Sequence, residues 1–119
     1  GLEPFLTSHC LAPEQNILAD EVARAPGASY HLVQVRGTET PHRHVAHDLT
    51  ALMVRGQGEI TMGAERRTVA AGDVSVVPRG TAHWFVNTGR DPSVTLVTFT
   101  PPLDGPDSEP VIDSPPDRR

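Results

Sequence analysis

Short runs of apolar and β-branched residues recur along the chain between Ser29 and Thr100. These runs are Tyr30–Val35, Leu49–Arg55, Gly58–Met62, Arg66–Val69, Val74–Val77, His83–Val86 and Val94–Thr100. Runs of this kind, bounded by Gly-, Pro- and Asn-containing turns, are typical of β-strands. Strands do not alternate with helical patterns, so the sequence favours an all-β sandwich or barrel over a parallel α/β sheet.

The two ends of the chain differ from this central part. Residues 1–27 contain the breakers Pro4, Pro13 and Pro26, and we expect an irregular segment with one short helix around residues 13–23. From Pro101 the chain is rich in Pro and acidic residues, a composition that does not fold alone. We therefore predict an irregular segment over 1–27, a barrel over 28–103 and a flexible tail over 104–119.

Length and composition narrow the function classes. The 119 residues suffice for one domain. A net charge of −5 and few aromatic residues argue against a nucleic-acid partner. No run reaches the ~18 apolar residues of a membrane span, so membrane insertion is not expected. Cys10 is the only cysteine, which excludes an internal disulfide and a Cys-rich metal cluster. A small-molecule ligand or substrate is the expected partner.

The first residues bear on localisation. The chain begins Gly1-Leu2 without Met. This start fits the remnant of a cleaved tag on a cytoplasmic protein. The missing Met also favours the alternative of a mature exported, periplasmic form whose leader has been removed. Both alternatives stay open.

Histidines carry the candidate chemistry. Three of the six histidines lie within residues 41–48, and His83 begins a later run. Residues i and i+2 of a strand point to the same face, so His42 and His44 present their rings to one point. The turn Pro78-Arg79-Gly80 makes His83 the candidate third ligand from another strand. Nitrogen donors of this kind suit a divalent Zn, Fe, Mn, Ni or Cu ion.

The spacing of these residues resembles a known family. Five residues match the second cupin motif at every position: Gly72, Pro78, Gly80, His83 and Asn87. Gly37, His42, His44 and Gly56 look like members of the first motif. The stretch from Ser29 to Thr100 thus resembles compact single-domain bacterial cupins. The resemblance implies a double-stranded β-helix, or jelly-roll, barrel with a metal near one mouth, and a homodimer formed by pairing sheets.

One position departs from the family pattern. Where the family has a metal-binding Glu, this chain has Leu49. Asp48 stands one place earlier and faces the opposite side unless a bulge turns it. His47 shares the parity of Leu49. Four alternatives follow: four histidines including His47; three histidines plus Asp48; three histidines with water; or a cavity that has lost its metal.

The fold alone does not give the function. The first hypothesis is a small metalloenzyme, a dioxygenase, isomerase or decarboxylase, in which the metal polarises substrate oxygens or activates O2. The second is a binding or sensor barrel that holds a sugar or organic acid without turnover. A third is a structural dimer part whose cavity is filled by Leu49, Met53 and Phe99.

Overall fold

Two five-stranded antiparallel sheets face each other in the computed structural model of the chain, which describes residues 1–111. Within this range one helix, α1 (Leu2–Ser8), precedes ten strands. The strands are β1 (Ile17–Ala25), β2 (Ala28–Val35), β3 (His42–His44), β4 (Asp48–Arg55), β5 (Gln57–Met62), β6 (Glu65–Ala70), β7 (Val74–Val77), β8 (His83–Asn87), β9 (Ser93–Thr100) and β10 (Ser108–Pro110).

The order of the strands identifies the barrel type. The first sheet runs β1-β2-β9-β4-β7 and the second runs β10-β3-β8-β5-β6. From β2 onward the chain passes to the other sheet at every connection except the β5–β6 hairpin. This winding is the double-stranded β-helix, and the predicted all-β fold class is confirmed.

Alternation along the strands builds the interior. In β4, Leu49 and Met53 are buried, whereas Thr50 and Leu52 between them are exposed. Phe85 of β8 and Phe99 of β9 are buried in the same interior. Because successive side chains of a strand point to opposite faces, one face of each sheet lines the barrel. All seven runs predicted as strands are strands, with ends that agree within two residues.

The N-terminal segment differs from the expectation. The helix expected around residues 13–23 is wrong, because residues Ile17–Ala25 form the edge strand β1 and the helix α1 lies earlier, over Leu2–Ser8. Pairing with β2 overrides the helix-forming tendency of the Leu, Ala, Glu and Arg residues in this stretch. The one helix described in residues 1–111, α1, lacks the length and apolar character needed to cross a bilayer.

The segment after β9 returns to the barrel. β10 pairs with β3 and sets Ser108 opposite His44. The Leu103 N–H donates to Ser29 Oγ at 2.9 Å, and Arg24 forms an ion pair with Asp104 at 2.9 Å. Residues 104–111, expected to belong to a flexible tail, are therefore in contact with the barrel. The remainder of that predicted tail, residues 112–119, lies outside the described residues.

Candidate metal centre

Two neighbouring strands bring three histidines together. His42 and His44 are the first and third residues of β3, and His42 lies opposite His83 in the β3–β8 ladder. One ligand atom from each ring lies within 4.8 Å of the others. His44 and His83 are buried, with 8% and 4% of their surfaces exposed, while His42 is partly exposed at the mouth. The pair and the third ligand expected from the sequence thus lie together.

A glycine turn sets the position of His83. Gly80 has φ of +82°, in the left-handed region that favours glycine. Its N–H donates to the carbonyl oxygen of His44 at 2.7 Å, which fastens the turn to the histidine-bearing strand. The chain then enters β8 at His83, with its ring directed into the barrel.

Backbone carbonyls orient two of the rings. His42 Nδ1 lies 2.8 Å from the Thr40 carbonyl oxygen, and His83 Nδ1 lies 3.0 Å from the Thr81 carbonyl oxygen. A carbonyl oxygen only accepts, so Nδ1 carries the proton in both rings. The lone pair is then on Nε2, the nitrogen left free for a metal. This arrangement is the usual support of metal-binding histidines.

His44 has a different environment. Its buried Nδ1 has no hydrogen-bond partner among the described residues, and the nearest carboxylate oxygen, Asp107 Oδ2, lies 4.0 Å away. A buried polar atom without a partner costs free energy. Coordination of an ion through His44 Nδ1 would compensate for part of this cost, whereas coordination through Nε2 would leave Nδ1 without a partner.

Burial keeps two of the rings neutral. It lowers the pKa of His44 to about 4, with His42 and His47 adding to the effect and Asp107 opposing it. Burial also lowers the pKa of His83 to about 4, against the hydrogen bond to Thr81, with His42 and His44 adding to the lowering. Neutral imidazole is the form that binds metal, so neither ring needs to lose a proton at neutral pH.

The donor set fits a divalent transition metal. The ring centroids of His42, His44 and His83 lie 4.3 to 5.4 Å apart, so three imidazole rings crowd one point with their metal-binding lone pairs. A shared cation relieves the repulsion between these lone pairs. Three imidazoles with open positions suit Zn, Fe, Mn, Ni or Cu(II).

His47 lies apart from this group. Its ring is buried, with Nδ1 hydrogen-bonded to Asp107 Oδ2 and Nε2 at 3.2 Å from the Pro102 carbonyl oxygen. Both nitrogens therefore face oxygens of the segment that precedes β10. The structure does not bring His47 into the group formed by the other three histidines.

Asp48 points to the surface. Its carboxylate accepts the Arg79 N–H at 2.9 Å and forms an ion pair with the Arg79 guanidinium at 3.3 Å. The hydrogen bonds from Arg79 lower the pKa of Asp48. Leu49, the next residue, is buried inside the barrel. The regular alternation of β4 thus continues through this position, and Asp48 is not in the histidine group.

Two acidic residues near the site were missed from the sequence. Glu39 lines the cavity beside the histidines; burial raises its pKa, while His42 and the Phe85 backbone oppose the increase. Asp107 accepts hydrogen bonds from His47 and from the Ala46 N–H. Burial tends to raise the pKa of Asp107, but these hydrogen bonds lower it overall. Glu39 precedes β3 in a loop, and Asp107 lies in the expected tail, so neither belongs to a periodic pattern.

A cavity of about 570 Å³ extends from the three histidines into the barrel. His42, His44, His83 and Glu39 form part of one end, and the strands of both sheets supply the walls. This volume lies within the range of small-molecule sites in proteins. The hypothesis of a purely structural dimer part predicts an interior filled by side chains. The barrel instead contains this cavity.

Comparison with protein families gives a match over most of the barrel. The family described as the Cupin domain matches residues 29–99. An uncharacterised protein of Aquifex aeolicus is 39% identical over 83 residues, which cover 70% of this chain and 68% of that protein. The pectin degradation protein KdgF of Dickeya dadantii is 32% identical over 62 residues, which cover 52% of this chain and 56% of that protein.

A solved structure is also similar to this chain over the barrel. The structure of KdgF from Halomonas sp. superimposes with a TM-score of 0.72 at 32% sequence identity. The superposition covers 82% of this chain and 91% of that protein. The similarity therefore extends over nearly the whole of that protein and includes the barrel described above.

Proposed function

The chain belongs to the cupin family, and from that premise we propose that it holds a divalent transition metal at His42, His44 and His83 and binds or acts on a small polar metabolite. The observation that carries this proposal is the convergence of three imidazoles within 4.8 Å at one end of a cavity. Bound there, a divalent ion supplies polarisation of ligand oxygens or activation of O2.

The surrounding residues prepare the site. The Thr40 and Thr81 carbonyl oxygens hold the His42 and His83 rings in one orientation. Burial keeps His44 and His83 neutral. The protein thus pays little reorganisation cost when a ligand arrives, which is the benefit of a pre-organised site.

For the fourth position we propose the three-histidine alternative, in which water or ligand oxygens complete the coordination. Supporting this, the His47 ring contacts Asp107 and Pro102, and the Asp48 carboxylate contacts Arg79. Moving either side chain to the metal would break these contacts. Open positions are also what a metal needs if it is to bind a substrate.

The relatives suggest the chemistry of the ligand. The Dickeya protein is named for pectin degradation, and pectin is a polymer rich in sugar acids. We extend to this chain only the acidic character of such a ligand. The proposed ligand is a small acid whose carboxylate oxygens reach the histidine end of the cavity. Glu39 lies at that end and favours an enzyme, because a carboxyl group beside the ligand can accept or donate a proton.

The second candidate function is a binding or sensor barrel without turnover. It is favoured by the walls below the histidines, which are mainly apolar and offer little for proton transfer. A thermal-shift screen of small acids finds a ligand for either candidate, since both bind one. Incubation with that ligand then separates the candidates, because only the enzyme converts it. A hit that is recovered chemically unchanged after long incubation favours the binding barrel.

Metal analysis tests the proposal directly. Protein purified without a histidine tag is loaded with Zn²⁺, Mn²⁺ or Fe²⁺ and dialysed; we expect about one equivalent of bound metal for at least one of them. The variant His83→Ala should retain less than about a tenth of an equivalent, because it removes one of three ligands. His9→Ala is the matched control, because His9 is exposed and stacks on Phe5. Full occupancy in His83→Ala would overturn the proposed site.

The homodimer implied by the family resemblance stays a prediction. The side chains of Val74 and Val76 on the edge strand β7 are exposed at 52% and 59%, beside Leu52 of β4 at 36%. Apolar groups at a sheet edge are a common place for two copies to meet. Light scattering coupled to size-exclusion chromatography measures the mass in solution and checks this prediction.

A further inference from the structure

Below the three histidines, the cavity walls are mainly apolar. They are formed mainly by Val33, Val35, Leu49, Met53, Ile60 and Val97, from four strands of the barrel. The cavity of about 570 Å³ continues between these side chains. Apolar side chains thus form much of the cavity wall, and the space between them is suited to a hydrocarbon group.

Three of the polar residues that line the cavity away from His42, His44 and His83 are already hydrogen-bonded within the barrel. Asp73 Oδ2 accepts the Ala70 N–H at 2.8 Å, and Ser75 Oγ accepts a hydrogen bond from Arg67 at 3.2 Å. His31 Nε2 lies 2.9 Å from Ser29 Oγ. A ligand hydroxyl placed in this region would lose its hydrogen bonds to water with few replacements, which is unfavourable.

We propose that the ligand of this cavity is an amphipathic carboxylic acid, with its carboxylate at the His42–His44–His83 end and a hydrocarbon body between the barrel walls. The inference rests on the proposed function, because the carboxylate needs the metal held by the three histidines. It goes further by naming the body of the ligand as a hydrocarbon, so that the metabolite is polar only at its carboxylate. A polyhydroxylated sugar acid fills the same volume but places its hydroxyls against Val33, Met53 and Val97.

A chain-length series tests the proposal on the unmodified protein. Zn²⁺-loaded protein is titrated calorimetrically with acetate, butyrate, hexanoate and octanoate, and with D-galacturonate. Each added methylene should lower the Kd by about threefold to fourfold until the chain fills the cavity, as expected for burial of one CH2. Hexanoate should bind more tightly than D-galacturonate. A Kd that does not change with chain length, or tighter binding of D-galacturonate, would overturn the proposal.

A matched pair of variants locates the hydrocarbon body. Ala51 lines the cavity, whereas Thr50 next to it in β4 is exposed on the outer face. Ala51→Leu should weaken octanoate by about tenfold or more and leave acetate nearly unchanged, while Thr50→Leu should leave both unchanged. Equal octanoate affinity in the two variants would argue against this location. If Ala51→Leu does not fold, Val97→Ile makes the same test with a smaller added volume.

Metal content distinguishes failure of the proposed function from failure of the amphipathic-ligand proposal alone. Protein that holds no metal after loading would contradict the proposed function, whatever the acid series shows. Protein that holds about one equivalent of Zn²⁺ but shows no dependence on chain length would contradict only the amphipathic ligand. The metal is counted by mass spectrometry on the sample used for titration.

Discussion

His42 and His83 lie directly opposite each other in the β3–β8 ladder, and each ring is tied through Nδ1 to the carbonyl oxygen two residues before it. Two neighbouring strands thus use the same local device to direct Nε2 toward a common point. Because both constraints come from the backbone, the orientation of these rings is built into the barrel itself. His44, which shares β3 with His42, has no such constraint on its buried Nδ1 among the described residues.

The first prediction concerns the fourth coordination position of the proposed metal, for which His47 and Asp48 are candidates. The variants His47→Ala and Asp48→Asn should keep the metal Kd within about threefold of the unmodified protein, because their side chains contact Asp107 and Arg79 instead of the three histidines. His44→Ala should weaken binding by more than about 100-fold, since it removes a ligand. Competition with a chromophoric chelator measures all three constants. A loss in His47→Ala equal to that in His44→Ala would support the four-histidine alternative.

The sequence was sufficient to predict the barrel and the grouping of three histidines. The strand runs and the Gly72–Asn87 spacing depend on local properties: turn formation at glycine and alternation within strands. His42, His44 and His83 follow from the same rules, because parity places two rings on one face and a turn precedes the third. The β1 strand could not be predicted this way, since its conformation is decided by pairing with β2.

The surroundings of the site depend on contacts distant in sequence. Asp107 contacts His47 across 60 positions, and β10 pairs with β3 although its composition favours a tail. Parity alone could not choose between His47 and Asp48, because the contacts of both side chains depend on partners distant in sequence. Glu39 is similar, since its position in the cavity depends on where the loop before β3 crosses the barrel mouth.

The second prediction is a loss of stability of the metal-free protein at acid pH. Burial lowers the pKa of His44 and of His83 from 6.5 to about 4. Between these values the unfolded chain binds protons that the native protein does not, so the free energy of unfolding decreases as pH falls from 6.5 to about 4. The decrease is at most about 3 kcal/mol for each ring, and less for the two together because they interact.

Urea denaturation with EDTA, at intervals from pH 7 to pH 4, measures this decrease. Glu39 acts in the opposite direction, because its raised pKa stabilises the native protein below pH 4.5 and this contribution is lost as pH rises. The variant Glu39→Gln removes that contribution and should steepen the decrease. In His83→Gln the decrease should be smaller than in the unmodified protein. An identical pH profile for His83→Gln would show that His83 is not a source of the effect.

The third prediction concerns the connection between the C-terminal segment and the loop that follows β3, through Asp107 and His47. The Asp107 carboxylate is 6% exposed; it accepts the Ala46 N–H at 3.1 Å and the hydrogen bond from His47. Asp107→Asn removes the negative charge beside two histidines and one acceptor for the His47 ring. We expect the free energy of unfolding to decrease by about 1–3 kcal/mol, the cost of leaving a buried polar group without its partner.

Asp104→Asn is the matched control for Asp107→Asn, since it makes the same chemical change three residues earlier. The Asp104 side chain is 81% exposed in its ion pair with Arg24, so its replacement should change stability by less than about 0.5 kcal/mol. Urea denaturation of both variants at pH 7 gives the comparison. Equal stability of the two variants would mean that Asp107 does not fasten the segment to His47. In that case the ordered position of β10 beside β3 would depend on its backbone pairing alone.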